Sequence, residues 1–126
     1  MNTAEHLHTM VATYQEICQG EELWVALGNF LSDWFDYAKD QRAELVAAPL
    51  SLPQDANQQQ RRWAAQNAAS VDYLCARFSV RCPIWVSHPV FTLPDPWFDA
   101  PMAHKPEVRI YLLQQTPGSF TRRNIY

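Results

Sequence analysis

Glycine is scarce in this chain. Its 126 residues include three glycines, none clustered, so no glycine-rich phosphate loop exists. Cysteine is equally sparse. Cys18, Cys75 and Cys82 are odd in number and lack a CxxC spacing. That excludes a disulfide framework and a zinc knuckle, and leaves reduced thiols, some of them buried. No apolar run approaches a membrane span, and the first residues, MNTAEHLHTM, show no basic-then-apolar leader pattern. A cytosolic location without membrane association is expected. Base is also in short supply: the net charge is −3, which weighs against DNA binding by this domain alone.

What remains is enough to fold. Nearly half of the residues are apolar, 48%, so a core is expected rather than disorder. The length suits one domain spanning residues 1–126.

The apolar periodicity predicts three main helices. The first runs from Thr3 to Cys18, with Leu7, Met10, Val11, Tyr14 and Ile17 on one face, Thr3 as N-cap and Gly20 as the stop. The second runs from Glu21 to Ala47, with Trp24, Leu27, Phe30, Trp34 and Phe35 among its apolar positions. Glu21 and Glu22 suit its positive end. Gly28 is expected at a close helix contact or a kink, and the pattern turns polar around Tyr37 to Gln41, where a break is expected. The third covers Gln58 to Phe78, with Trp63, Ala64, Asn67, Val71, Leu74, Cys75 and Phe78 inward. Ala64, Ala65, Ala68 and Ala69 would let the second helix approach closely.

Cys82 to Pro101 is different. Pro83, Pro89, Pro94, Pro96 and Pro101 exclude a long helix or a central strand, because proline lacks an N–H and fixes φ. Trp85, Phe91, Trp97 and Phe98 are too apolar for a free linker. The expected outcome is an irregular segment pinned to the helices by its rings. Asp95 to Phe98 is expected as one short helical turn, with Asp95 as cap and Pro96 first. Val108 to Gln115 fits a strand or a helix; a helix is favoured because no strand partner is evident. A last turn is expected from Pro117, capped by Thr116. The fold class is therefore all-α: a small bundle of three main helices with an irregular Pro/Trp-rich segment and short C-terminal helices.

Charge is split along the chain. Up to Asp55, nine acids face two bases; from Ala56 on, eight bases face four acids. The halves either neutralise one another across the fold or steer a partner of opposite sign, a second copy included.

Catalytic and metal patterns are poor. His6 and His8 point to different sides of a helix. His88 and His104 stand isolated, and nothing fixes them with an Asp on a shared face. Cys82 with His88 lacks an orienting acid. Asp33, Asp36 and Asp40 read as a solvated acidic face. No metal, cofactor or catalytic residue is expected, and a non-catalytic role follows. Trp85, Trp97, Phe98, Arg122 and Arg123 are the candidate partner-binding residues, since aromatics and arginine make recognition surfaces. Core packing is the competing role for the tryptophans and Phe120. The five tryptophans are mostly core by default, with Trp85 or Trp97 the alternative as an exposed partner anchor. Arg61, Arg62, Arg122 and Arg123 could instead serve a nucleic-acid-associated factor, with binding that falls steeply with salt.

The run RRWAAQNAASVDYLCARFSVRCPIWVSHPVFTLPDPWF, followed by VRIYLLQQTPGSFTRRNIY, resembles a bacterial domain, especially common in actinobacteria. The resemblance rests on the alanine-rich helix Trp63 to Phe78, then Pro83, Trp85, Pro89, Phe91, Pro96, Trp97 and Phe98. It continues through Arg109, Pro117, Phe120 and the Arg122–Arg123–Asn124–Ile125 ending. It covers residues 21–126, leaving 1–20 as a variable N-terminal helix. Such domains stand alone or follow a helix-turn-helix, and are often encoded beside minimal nucleotidyltransferase-like proteins. The resemblance implies an antitoxin-like, non-catalytic partner role and carries over no catalytic residue. Residues 1–20 do not read as a helix-turn-helix, since one amphipathic helix lacks the second helix and turn. The family pattern also continues past RNIY, so the chain is expected to stop short of the full domain.

Overall fold

Helix α1, Met10–Cys18, opens the computed structural model, which describes residues 7–98 and 105–126. It starts later than the sequence predicts. Thr9, not Thr3, is the cap, and its hydroxyl accepts the Ala12 N–H at 3.2 Å. The chain before it is held out of the helix because the His8 N–H donates to the Asp33 carboxylate at 2.7 Å. Thr3 and His6 lie outside the described residues. Gly20 ends the helix as expected. Its φ of 111° is a conformation that costs glycine little, and it lets the Glu21 N–H reach the Glu16 carbonyl at 2.9 Å.

The second predicted helix is interrupted. Helix α2, Leu23–Ser32, is capped by the Glu22 carboxylate. It widens into a π turn at Asp33–Tyr37, leaves helical space at Ala38, and tightens into a 3-10 turn at Lys39–Gln41 before α3, Arg42–Ala47. The break falls where the pattern turns polar. Arg42 stabilises it: its Nε donates to the Trp34 carbonyl at 2.9 Å, and its guanidinium lies over the Trp34 and Phe78 rings. Asp33 is buried beneath His8, so it does not belong to a solvated acidic face; Asp36 and Asp40 do. Gly28 marks no close contact, because a Cβ there would meet nothing within 4 Å.

Helix α4, Gln58–Arg77, is the axle of the molecule. Asn57 and Gln60 form a reciprocal capping box at 2.8 and 2.9 Å. Its four inward alanines are fully buried and serve two cores. Ala64 and Ala68 face the main core with Met10, Tyr14, Phe30 and Trp34; Ala65 and Ala69 face a smaller one with Leu93 and Ile125. The neighbours that use this close approach are α1 on one side and the C-terminal turns on the other, rather than α2. The Tyr14 hydroxyl donates to the Gln60 carbonyl at 2.9 Å and ties α1 to the start of α4.

After α4 the chain reverses at Ser79, φ 57°, and the Pro/Trp segment returns along the helix. It forms 3-10 turns at Ile84–Ser87 and Pro89–Phe91. Asp95 to Phe98 is not a helical turn. Trp97 makes a single parallel bridge with Ile125, its N–H donating to the Asn124 carbonyl at 2.7 Å. The C-terminal residues offer main-chain partners there that local pattern could not reveal. Helix α5, Pro106–Gln115, confirms the helical reading of Val108 to Gln115. Helix α6, Gly118–Thr121, is capped by Pro117 itself, one residue later than expected, because Pro117 has an extended ψ of 147°. The fold is all-α among the described residues, with a single β-bridge and no strand.

Candidate functional site

Arg122 and Arg123 leave α6 side by side and converge on Asp72 of α4. Arg123 is buried, contrary to its expected place on a partner surface. Its Nη1 donates to Asp72 Oδ2 at 3.0 Å and to the Ser119 carbonyl at 2.6 Å, while Nη2 donates to the Val86 carbonyl at 2.8 Å. One guanidinium thus joins α4, α6 and the 3-10 turn at Ile84–Ser87. The planar fork makes this possible; an ammonium could not span three such acceptors. Arg122 donates to the same carboxylate oxygen at 2.7 Å, but its side chain is 66% exposed. Burial alone would raise the Asp72 carboxyl, yet hydrogen bonds and charge from the two arginines outweigh it and hold the group below the usual carboxylate range.

This cluster walls a cavity of about 580 Å³, which also takes in Cys82, Ile84, Ser87 and Thr92. Ile84 stands 92% exposed at its edge. The thiols nearby are not activated. Burial, with Cys82 and Asp72 beside it, pushes Cys75 up to about 12, and burial with Asp72 raises Cys82 despite the arginines. Both stay protonated, as poor nucleophiles do.

The other candidate residues divide. Trp85 is a core residue: half-buried, its Nε1–H donates to the Val46 carbonyl at 2.9 Å and its ring meets Phe91 edge-on. Trp97 and Phe98 are half-buried, and Trp97 packs against the smaller core of Ala65, Ala69, Leu93 and Ile125. Arg62 lies over Trp97 at 5.4 Å, Arg109 over Phe98 at 4.9 Å, and Phe98 stacks on Tyr126 at 5.1 Å. The structure therefore joins Arg122 to Arg123, and Trp97 to Phe98, and places Trp85 with neither pair.

No family model, curated protein or solved structure matches this chain.

Among the described residues no helix is long and apolar enough to cross a membrane, and no group of three or more acids, histidines or cysteines could hold a metal. His104 lies outside those residues. Two contributors were missed by sequence. Asp72 counted only as a charge; its signal was its place on the Ala65–Ala69 side of α4, a second buried face. Trp24 is one of the apolar positions of the second predicted helix, where a core place is the default for tryptophan. It is 63% exposed, over a mainly apolar cavity of about 280 Å³ walled by Pro117, Phe120, Ile125 and Tyr126.

Proposed function

We propose that the chain is a non-catalytic protein-interaction module. The observation that carries this reading is Trp24, left outside above the cavity between α2 and the C-terminal turns. A tryptophan in solvent forgoes the burial free energy of a large ring, and such a ring beside an apolar hollow makes a partner anchor. Helix α5 adds to it: none of its described side chains is buried, and Ile110 and Tyr111 face solvent. The resemblance noted above adds the finer expectation, an antitoxin-like role toward a nucleotidyltransferase-type partner in a bacterial cytoplasm. Affinity capture from cell extract followed by mass spectrometry tests both levels. Wild type should retain a partner that Trp24→Ser loses while its thermal unfolding stays unchanged. An identical captured set would remove the reading. Inhibition of a captured nucleotidyltransferase would support the finer one.

The nucleic-acid reading draws on Arg61 and Arg122, which line neighbouring cavities along the Pro/Trp segment. Against it, neither cavity is lined by an aromatic ring, and single-stranded nucleic acid is held by stacking.

A further inference from the structure

Three cavities lie side by side along the returning segment from Pro83 to Asp95. The first, about 580 Å³, holds Arg122 and shares Thr92 with a second of about 350 Å³. The second shares Arg61, Leu93 and Pro94 with a third of about 270 Å³, which holds Arg62. They form a groove with a positive group in each section.

The groove keeps an excess of positive charge. Arg61 is exposed, and among the described residues no carboxylate pairs with it. Arg62 rests on the Trp97 ring, which neutralises nothing. Asp72 is shared between two arginines, so one carboxylate answers two cations. Asp95 is the other acid in the lining. Four arginines against two acids leave the groove positive inside a chain of net charge −3.

Between the arginines the surface is aliphatic. Ile84 and Val90 are exposed, and Leu93 and Pro94 form the wall that the second and third cavities share. No aromatic ring lines any of the three cavities. A nucleic acid would find neither a stacking platform nor freedom from the two carboxylates. A polypeptide fits better, because the side chains of an extended acidic segment can set carboxylates on the arginines and hydrocarbon on the aliphatic lining between them.

We propose that this groove binds an extended acidic peptide segment of a protein partner, its carboxylates on Arg61 and Arg122 and its aliphatic side chains over Ile84 and Val90. The proposal rests on the reading of the chain as an interaction module and names a second surface of it, distinct from the Trp24 cavity.

Fluorescence polarisation with the full chain tests it. The probes are labelled synthetic peptides of alternating Glu and Leu, the matching Lys and Leu peptide, and an oligothymidylate. The Glu–Leu peptide should bind at low salt and weaken as salt rises. Arg61→Gln and Arg122→Gln should each weaken it about tenfold or more, the scale of a charged hydrogen bond. Thr92→Trp should block it by bulk where two cavities meet. Arg77→Gln, a charge that lines none of the three cavities, should leave it unchanged. Failure of the Glu–Leu peptide to bind overturns the proposal. So does equal binding of the Lys–Leu peptide, wild-type affinity in both the Arg61 and Arg122 variants, or retention of oligothymidylate in place of the acidic peptide. If the peptide fails while Trp24→Ser still loses a captured partner, the interaction-module reading stands and the acidic-groove proposal falls.

Discussion

Helix α5 and the hook formed by residues 118–126 are neighbours in sequence, yet one is loose and the other locked. Helix α5 is the more apolar, with Val108, Ile110, Tyr111, Leu112 and Leu113 in ten residues. The hook has only Phe120, Ile125 and Tyr126. Hydrophobicity alone would bury α5 first. Instead Ile110 is 57% exposed and Ile125 is 4% exposed. The hook is held by polar bonds in a protected setting. Arg123 takes two carbonyls and a carboxylate, the Asn124 side chain donates to the Leu93 carbonyl at 2.6 Å, and Tyr126 and Trp97 exchange main-chain bonds with their partners. Buried groups that are fully paired specify one arrangement, because every alternative leaves a donor or acceptor unsatisfied. Helix α5 buries no side chain among its described residues, and its apolar positions are spread around the helix instead of forming a stripe.

The largest test of that contrast is Arg123→Ala. Arg122 still answers Asp72 in that variant, but the Ser119 and Val86 carbonyls lose their donor at about 1–3 kcal/mol each, so the urea midpoint should fall steeply. Arg123→Lys should recover only part, since a point charge cannot reach Asp72, Ser119 and Val86 together. A midpoint near wild type would mean that the hook is held by Ile125 and Phe120 instead.

Acid should loosen the hook next. The folded Asp72 pKa lies below its unfolded value, so its pairing stabilises fully above the ordinary carboxylate pKa of about 3.9. That contribution drains away as pH falls toward the folded value. Asp72→Asn should therefore be less stable at neutral pH and lose less stability on acidification, in urea titrations run from neutral pH into the acid limb. A variant that loses as much stability on acidification as wild type would assign the acid sensitivity to other carboxylates.

The smallest effect should come from α5. Ile110→Ser and Tyr111→Ser should change stability by no more than about 0.5 kcal/mol in the same measurement. A larger loss would show that α5 is packed more firmly than its exposure indicates.

The residues that were legible share a property: their neighbours are near in sequence. The start of α4 at Gln58, the stop at Gly20, the break after Tyr37 and the helical reading of Val108 to Gln115 all rest on residues a few positions apart. The misplaced ones depend on distant partners. Arg123 lies 51 residues from Asp72, and Trp85 lies 39 from Val46. The local pattern of Asp95 to Phe98 predicts a helical turn, and Trp97 pairs instead with Ile125, a partner that local pattern does not reveal. Trp24 departs from the core place that is the default for tryptophan, because an apolar pattern does not say how wide the covering neighbour will be.

The sequence by itself determined the all-α class, the positions of the main helices, and the irregular character of the Pro/Trp segment. Backbone sterics, capping and 3.6-residue periodicity act locally and leave their mark in composition. Only the tertiary structure decided that two adjacent arginines on one carboxylate would differ in burial, one drawn into the fold as a tie between three elements and one left at the mouth of a groove. That choice depends on which carbonyls and which carboxylate happen to surround each guanidinium, and those groups come from parts of the chain that meet only on folding.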